Sequence, residues 1–322
     1  MSIARILLAA FSFLAIGLAP AGAQTYPNRT VKVIVAFTPG SSTDILARLV
    51  ADHLSKTLGQ PFVVENRAGA GGIIGTEYAA KAAPDGYTLT MAPSGPFGIN
   101  PAIYAKLPYD PEKDFEPIAN IGFTPQVIVV GPSAKFRTLK ELIAAAKASP
   151  GAIDFGTLGK GTTSHLGMEH FQAVAGIKLN HIPFKGGSEA QTQVMGGNIP
   201  LMSDAVPGVM PQVRGGRLTA LGIASAQRSP FAPDVPTLAE QGYPVEAVGW
   251  IGIAAPAKTP VAILDKLNAE INRMMTEPAV KEKFNALSFV SAVGTRAEFA
   301  AFIKAEIAKW KQVAKDSGVK AD

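Results

Sequence analysis

After its N-terminal segment the chain opens with VKVIVAF, residues 31–37, an apolar and β-branched run that fits a strand buried on both faces. Apolar Ile45, Leu46, Leu49, Val50 and Leu54 then recur at helical spacing, and Gly59 marks the helix end. Residues 61–65 predict a second strand, followed by the glycine-rich stretch RAGAGGIIG. A helix over 77–83 is stopped by Pro84, Asp85 and Gly86, and 87–92 predict a third strand. Strands alternating with helices predict a parallel, doubly wound sheet.

The run PIANIGFTPQVIVVGPS, with Pro125 in its middle, is long enough to pass from one domain into another. A helix over 138–148 opens on a T-x-x-E capping box, Thr138 to Glu141. A strand over 152–156 leads into LGKGTTSHLGMEHF, and there the first construction returns. A glycine and hydroxyl cluster again precedes an amphipathic helix that closes on glycine, and KLNHIPFKGG follows as the next strand and turn. Residues 199–202 predict a further strand. The second domain is expected to end near 242–245, after which VGWIGIAAP returns the chain to the first domain and its terminal helices. The last helix starts at a capping box, Thr295 to Glu298, and sets Phe299, Phe302, Ile303, Ile307 and Trp310 on one core-facing stripe.

The first residues change the count of what folds. Arg5, an apolar run from Ile6 to Leu18 and then Ala21-Gly22-Ala23 form a secretory signal pattern, with cleavage expected after Ala23. The apolar run is shorter than the roughly 20 residues of a membrane span. The sequence holds no cysteine, so disulfides and a lipidated cysteine are excluded and a soluble periplasmic protein is expected. The remainder suits two domains of about 150 residues each. The expected segments are 24–123 for the first domain, 124–246 for the second and 247–322 for the return to the first. The formal charge of +5 falls to +4 without Arg5, and the scattered Lys and Arg argue against nucleic acid.

The candidate chemistry lies at the two helix mouths. The first turn of a helix carries unpaired N–H groups and a partial positive charge, so it binds a small anion without needing arginine. Gly40-Ser41-Ser42-Thr43 and Gly161-Thr162-Thr163-Ser164 supply glycine for close approach and hydroxyls as further donors. Ser41 or Ser42 can equally cap its helix, with Asp44 completing the cap. Two such loops, one in each domain, favour a shared anion site. AGAGGIIG (Gly69, Gly71, Gly72, Gly75) has the wrong spacing and place for a dinucleotide fingerprint, and GKGTTS is no Walker A loop. The four histidines form no metal set, there is no G-x-S-x-G elbow, and no cofactor motif stands. His165 beside Ser164 is the one pair that would suit an exported hydrolase.

The stretches PFVVENRAGAGGIIGTEYAAKAAPDGYTL, INPAIYAKLPYDPEKDFEPIA, GKGTTSHLGMEHF and RSPFAPDVPTLAEQGYP resemble the extracytoplasmic receptors of tripartite tricarboxylate transporters, the Bug proteins. The resemblance implies an α/β protein with the two-domain periplasmic-binding-protein fold, type II-like, and a ligand cleft between the domains. It implies a monomer that binds a small organic anion and hands it to integral membrane subunits of the transporter. Presentation of a bound carboxylate to a sensor kinase is the alternative role. Carried over by position, the first loop runs from Thr38 to Asp44, with Ser42 and Thr43 as the main donors. The second covers Gly161 to Ser164, and Ser94-Gly95 and Asp204 are further contact regions. Ser41 stands where the family usually has glycine, which raises the question of strain there. Lys160 stands where a small or amide residue is usual; it is either a cation for a second carboxylate or a solvated lysine on a loop tip.

Overall fold

The computed structural model describes residues 26–320, so the expected signal segment and its cleavage point lie outside the described residues. In the first lobe β1 (Val31–Val35) pairs in parallel with β2 (Phe62–Asn66) and with β3 (Thr88–Pro93). Between them run α1 (Ser42–Leu58) and α2 (Ile73–Ala80), the latter starting and ending earlier than the expected 77–83 because the turn Ala70–Gly72 feeds straight into it. A short α3 (Asn100–Ile103) precedes the long strand β4 (Phe115–Val130).

The second lobe alternates α4 (Leu139–Ala148), β5 (Asp154–Thr157), α5 (Thr163–Ala175), β6 (Asn180–Pro183), α6 (Gly187–Met195), β7 (Leu201–Ala205), α7 (Val206–Arg214) and β8 (Thr219–Ala224). The chain then returns through β9 (Val248–Pro256) to α8 (Val261–Thr276), α9 (Pro278–Ala286), β10 (Val290–Ser291) and α10 (Arg296–Ser317). Both expected capping boxes are made, Thr138 with Glu141 and Thr295 with Glu298.

The sheet is mixed and not wholly parallel. Strands β1, β2 and β3 form one parallel set and β5, β6 and β7 another, but β9 and β4 lie between them as antiparallel neighbours. The reason is directional. β4 leaves the first lobe and β9 re-enters it, so the two crossing strands run in opposite senses. β4 pairs with β9 from Phe115 to Pro125, and from Gln126 it pairs with β7 on one side and β8 on the other. Pro125, which has no N–H to give, stands where β4 changes partners.

The apolar run along β4 is explained by burial on both faces. Val127 and Val129 enter one core of the second lobe with Met202, Val206 and Ile223, while Ile128 and Val130 enter the other with Phe155, Leu166 and Phe171. In the first lobe, Val33 and Val35 pack under α1 and α8, and Ile34 points to the opposite core with Phe97, Trp250 and Phe299. Helix α10 does not confine itself to the first lobe. Phe299, Ile303 and Ile307 join the first-lobe core, whereas Trp310, Val313 and Ala314 pack with Phe171 and Leu166 of the second. Burying the five large side chains of that stripe stabilises the fold by on the order of 10 kcal/mol.

Candidate functional site

A cavity of about 680 Å³ lies between the lobes and is floored by the crossing strands at Thr124, Gln126, Gly249, Trp250 and Ile251. Its volume suits a small organic molecule. The first wall is the loop between β1 and α1. Gly40 takes φ +81°, the left-handed turn that a side chain would strain, and Ser41 sits at φ −66°, ψ 157°. The question of strain at Ser41 is therefore answered: Gly40 makes the turn, and Ser41 is relaxed. Ser41 Oγ accepts from the Asp44 amide at 3.3 Å and so caps α1. Ser42 and Thr43 follow in the first turn, where their amides have no acceptor within the helix.

Asp44 is turned to another task. Its Oδ2 accepts from the Gly40 amide at 2.9 Å and from Arg48 Nε at 3.0 Å, and its Oδ1 accepts from Arg48 and Asn66. Burial works to raise its pKa, but Arg48, the Gly40 amide and Asn66 outweigh that and hold it below the usual range. Asp44 is absent from the cavity wall, so the structure makes it the clamp that shapes the loop.

The second wall is the loop between β5 and α5. Thr162 caps α5 by accepting from the His165 amide at 3.3 Å, and its hydroxyl donates to Gly159 O at 2.7 Å. Ser164 Oγ lies 2.9 Å from Thr162 Oγ1 and accepts from the Leu158 amide at 3.3 Å. Across the cleft, Ser94 Oγ of the first lobe hydrogen-bonds Thr163 Oγ1 of the second at 2.8 Å. The two hydroxyl clusters therefore share one cavity. Thr38, Gly40, Ser41, Ser42, Thr43, Ser94, Gly95, Gly161, Thr162, Thr163, Ser164 and Asp204 all line it.

Lys160 does not. It is exposed at the loop tip outside the cavity wall, and its charge instead helps to depress His165 on α5 and His181 on β6. His165 stacks on His181 at 4.1 Å, and His181 stacks in turn on Phe155. Burial, then the neighbouring charges, lowers His165 to about 3 and His181 to about 4, so both rings are neutral at neutral pH. The partners of Ser164 Oγ are Thr162 and Leu158, and His165 Nδ1 faces the Gly161 amide. That arrangement gives the hydrolase reading no serine–histidine pair. Among the described residues no group of three or more His, Cys, Asp or Glu side chains could hold a metal.

Two further helix mouths complete the cavity, and sequence reasoning missed them. Lys185, Gly186, Gly187, Ser188, Glu189 and Gln191 bring the start of α6 to the wall, and Ala205 and Gly208 bring the start of α7. Neither helix has a side-chain cap at its N-terminus. With α1 and α5, four helix N-termini point their partial positive charge at one space. Among the described residues that line the cavity, Lys185 is the one cation, and Glu189 and Asp204 are the acids. The signal was present in PFKGGSE, a glycine pair followed by a hydroxyl at a helix start, but it passes for an ordinary turn.

A family profile described as tripartite tricarboxylate transporter family receptor matches residues 46–319. The chain is 40% identical over 304 residues to Protein BugT of Bordetella pertussis, covering 94% of this chain and 93% of that one. Among solved structures, Rpa4515 of R. palustris with adipate superposes with a TM-score of 0.86 at 32% identity, covering 92% of this chain and 99% of the other. MatC from Rhodopseudomonas palustris with bound malate gives 0.82 at 32% identity, covering 89% and 99%.

Proposed function

The chain belongs to the tripartite tricarboxylate transporter family of receptors, and we propose that it captures a small organic carboxylate in the interlobe cleft and delivers it to membrane subunits of such a transporter. The observation that carries this reading is the meeting of helix mouths from separate lobes in one cavity, linked across it by Ser94 and Thr163. A carboxylate between them would accept from the first-turn amides of Ser42, Thr43, Thr163 and Ser164 and from nearby hydroxyls. Hydrogen bonds to a charged group contribute about 1.5–3 kcal/mol each before ordering costs. Four or five of them support a micromolar complex, which needs roughly 8 kcal/mol.

The ligand class follows from chemistry and from the neighbours. Adipate and malate, held by the two structural neighbours, are dicarboxylates. A second carboxylate in this cleft would find Lys185 and the uncapped starts of α6 and α7. Lys185 therefore takes the cation role that was one of the two readings of Lys160.

Bridging contacts from two lobes exist only when the lobes are close, so ligand shifts the population towards closure. The hinge lies where the crossing strands change partners, at residues 123–127 and 247–251. On this reading the lobes comprise 24–123 with 247–322 and 124–246, except that the end of α10 rests on the second lobe. The mature protein works in the periplasm as a monomer after cleavage at Ala23. A thermal-shift screen of organic acids tests the proposal: stabilisation by dicarboxylates at micromolar to millimolar concentration is expected. No shift with any acid, on protein unfolded and refolded to strip co-purified ligand, would overturn it.

A further inference from the structure

Asp204 is the penultimate residue of β7, at the cavity wall, and is only 4% exposed. Its Oδ1 accepts from the Ala205 amide at 2.7 Å and its Oδ2 from Gln191 Nε2 at 3.3 Å. The starts of α6 and α7 close on it: a Cβ added to Gly187 or to Gly208 would lie 2.6 Å from Oδ2. Glycine at both positions is what lets this carboxyl fit between the helices.

No cation contributes to the electrostatics of Asp204. On α6 and its leading loop the charged groups are Lys185 and Glu189, and the Glu189 carboxylate is engaged with the Lys185 amide at 3.0 Å. The first charged residue of α7 is Arg214, at its far end. β4 offers apolar Val127 opposite Asp204, and β8 follows on the other side of β4 with apolar Ile223. β5 presents Phe155 and Gly156 to β7. α5 contributes His165, which is neutral, and Glu169, whose pKa burial raises. Asp204 is thus a buried acid, without an ionic partner among the described residues, inside a cleft where four helix starts and Lys185 attract anions.

The geometry points to Asp204 as a specificity residue that acts in its acid form: the cleft takes up a small carboxylate together with one proton, and the Asp204 carboxyl donates that proton in a hydrogen bond to the anion. This rests on the reading of the cleft as a carboxylate site. Two negative charges a few ångströms apart in a low-dielectric cavity favour protonation of one of them. Burial, against the lowering pull of the Ala205 amide and Gln191, pushes Asp204 up to about 6. At neutral pH the proton is therefore within easy reach, and an arriving anion raises the group further. The step balances simply. Solvent supplies a proton to Asp204, the O–H then bonds the ligand oxygen, and release of the ligand returns the proton. A carboxylate without a hydroxyl or ammonium donor of its own is the ligand class this favours, because the protein supplies the donor.

The sign follows from linkage. Below about 6 the free protein already carries the proton and affinity is level. As pH rises above that value, binding must take a proton from a scarcer pool, and affinity falls by up to about tenfold per unit. The experiment is calorimetric titration of the purified protein with adipate and with malate at pH 6.5, 7.5 and 8.5, repeated at pH 7.5 in buffers of different ionisation heat. His165 and His181, lowered to about 3 and 4, do not titrate in this range. Expected are a falling affinity with pH, an enthalpy that tracks buffer ionisation with uptake of up to one proton, and an Asp204→Asn variant whose affinity no longer changes with pH. Asparagine keeps the shape and carries a permanent donor. Level affinity with no buffer effect in the wild type would overturn the proposal. So would a folded Asp204→Asn variant with binding lost tenfold or more at every pH, the mark of an ionised Asp204 accepting from the ligand. Failure of every small carboxylate to bind at any pH would instead overturn the reading of the cleft itself.

Discussion

Both tryptophans of the sequence depend on one carboxylate oxygen. Trp250, on β9 at the cavity floor, and Trp310, on α10, each donate from Nε1 to Glu306 Oε2 at 3.0 Å. Glu306 is 7% exposed, Trp250 is 1% and Trp310 is 0%, while Lys309 pairs with the other oxygen. Glu306→Ala removes the acceptor and leaves two buried indole N–H groups without a partner. Each orphaned donor costs about 1–3 kcal/mol, so a loss of about 2–6 kcal/mol is expected. Glu306→Gln keeps a carbonyl oxygen in place and should cost about 1–2 kcal/mol, the difference between a charged and a neutral acceptor. Urea unfolding followed by tryptophan emission measures both, since the reporters sit in the network itself, and an unchanged slope would show that the same surface unfolds. A loss under about 0.5 kcal/mol for Glu306→Ala would refute the reasoning. It would mean that water reaches the indoles, and that α10 does not tie the hinge strand to the second lobe as tightly as the packing indicates.

Other outcomes follow from the cleft and its supports. Lys185→Ala should weaken adipate by about tenfold or more and its monoester far less, whereas Lys160→Ala should leave both nearly unchanged; titration calorimetry separates the two lysines. Gly187→Ala places a Cβ 2.6 Å from Asp204 Oδ2, so thermal unfolding should show destabilisation and ligand-induced stabilisation should shrink together. His165 and His181, held near 3 and 4 in the folded protein, remain neutral while their unfolded forms protonate below about 6.5. Their folded pKa values are depressed, so stability is complete above about 6.5 and falls as pH drops towards 4, by up to about 1.4 kcal/mol per unit for each ring. Acid titration of His165→Gln should flatten that fall, and an unchanged profile would contradict the assignment.

Much of this layout is legible in the chain because local signals carry it. The β-branched runs, the two capping boxes and the glycine-hydroxyl clusters each encode their own element within a few residues. Ser41 was legible as a cap, and Gly40 only as a residue allowing close approach; that Gly40 makes the turn shows in the fold. The antiparallel β4 and β9 were not, because strand direction is fixed by where a crossing segment has come from, and alternation of strands and helices is silent on that. The same holds for α10. Its apolar stripe shows that the helix is buried, but Phe299 and Trp310 look alike in sequence and face cores of different lobes. Lys160 and Lys185 both follow a strand and precede a glycine-led helix. Only the packing of α6 against β7 brings Lys185 to the wall and leaves Lys160 at a loop tip. Asp44 reads as a ligand contact beside Thr43, yet Arg48 one turn on and Asn66 on β2 claim its carboxylate first.

The central claim is that one carboxylate is gripped by helix starts from both lobes. A crystal structure of the purified protein with a dicarboxylate found by screening tests it most directly. The expected result is one carboxylate group whose oxygens accept, at about 2.7–3.2 Å, from first-turn amides of both α1 and α5. A ligand carboxylate held by side-chain cations alone, by a single lobe, or outside the cleft would contradict the account.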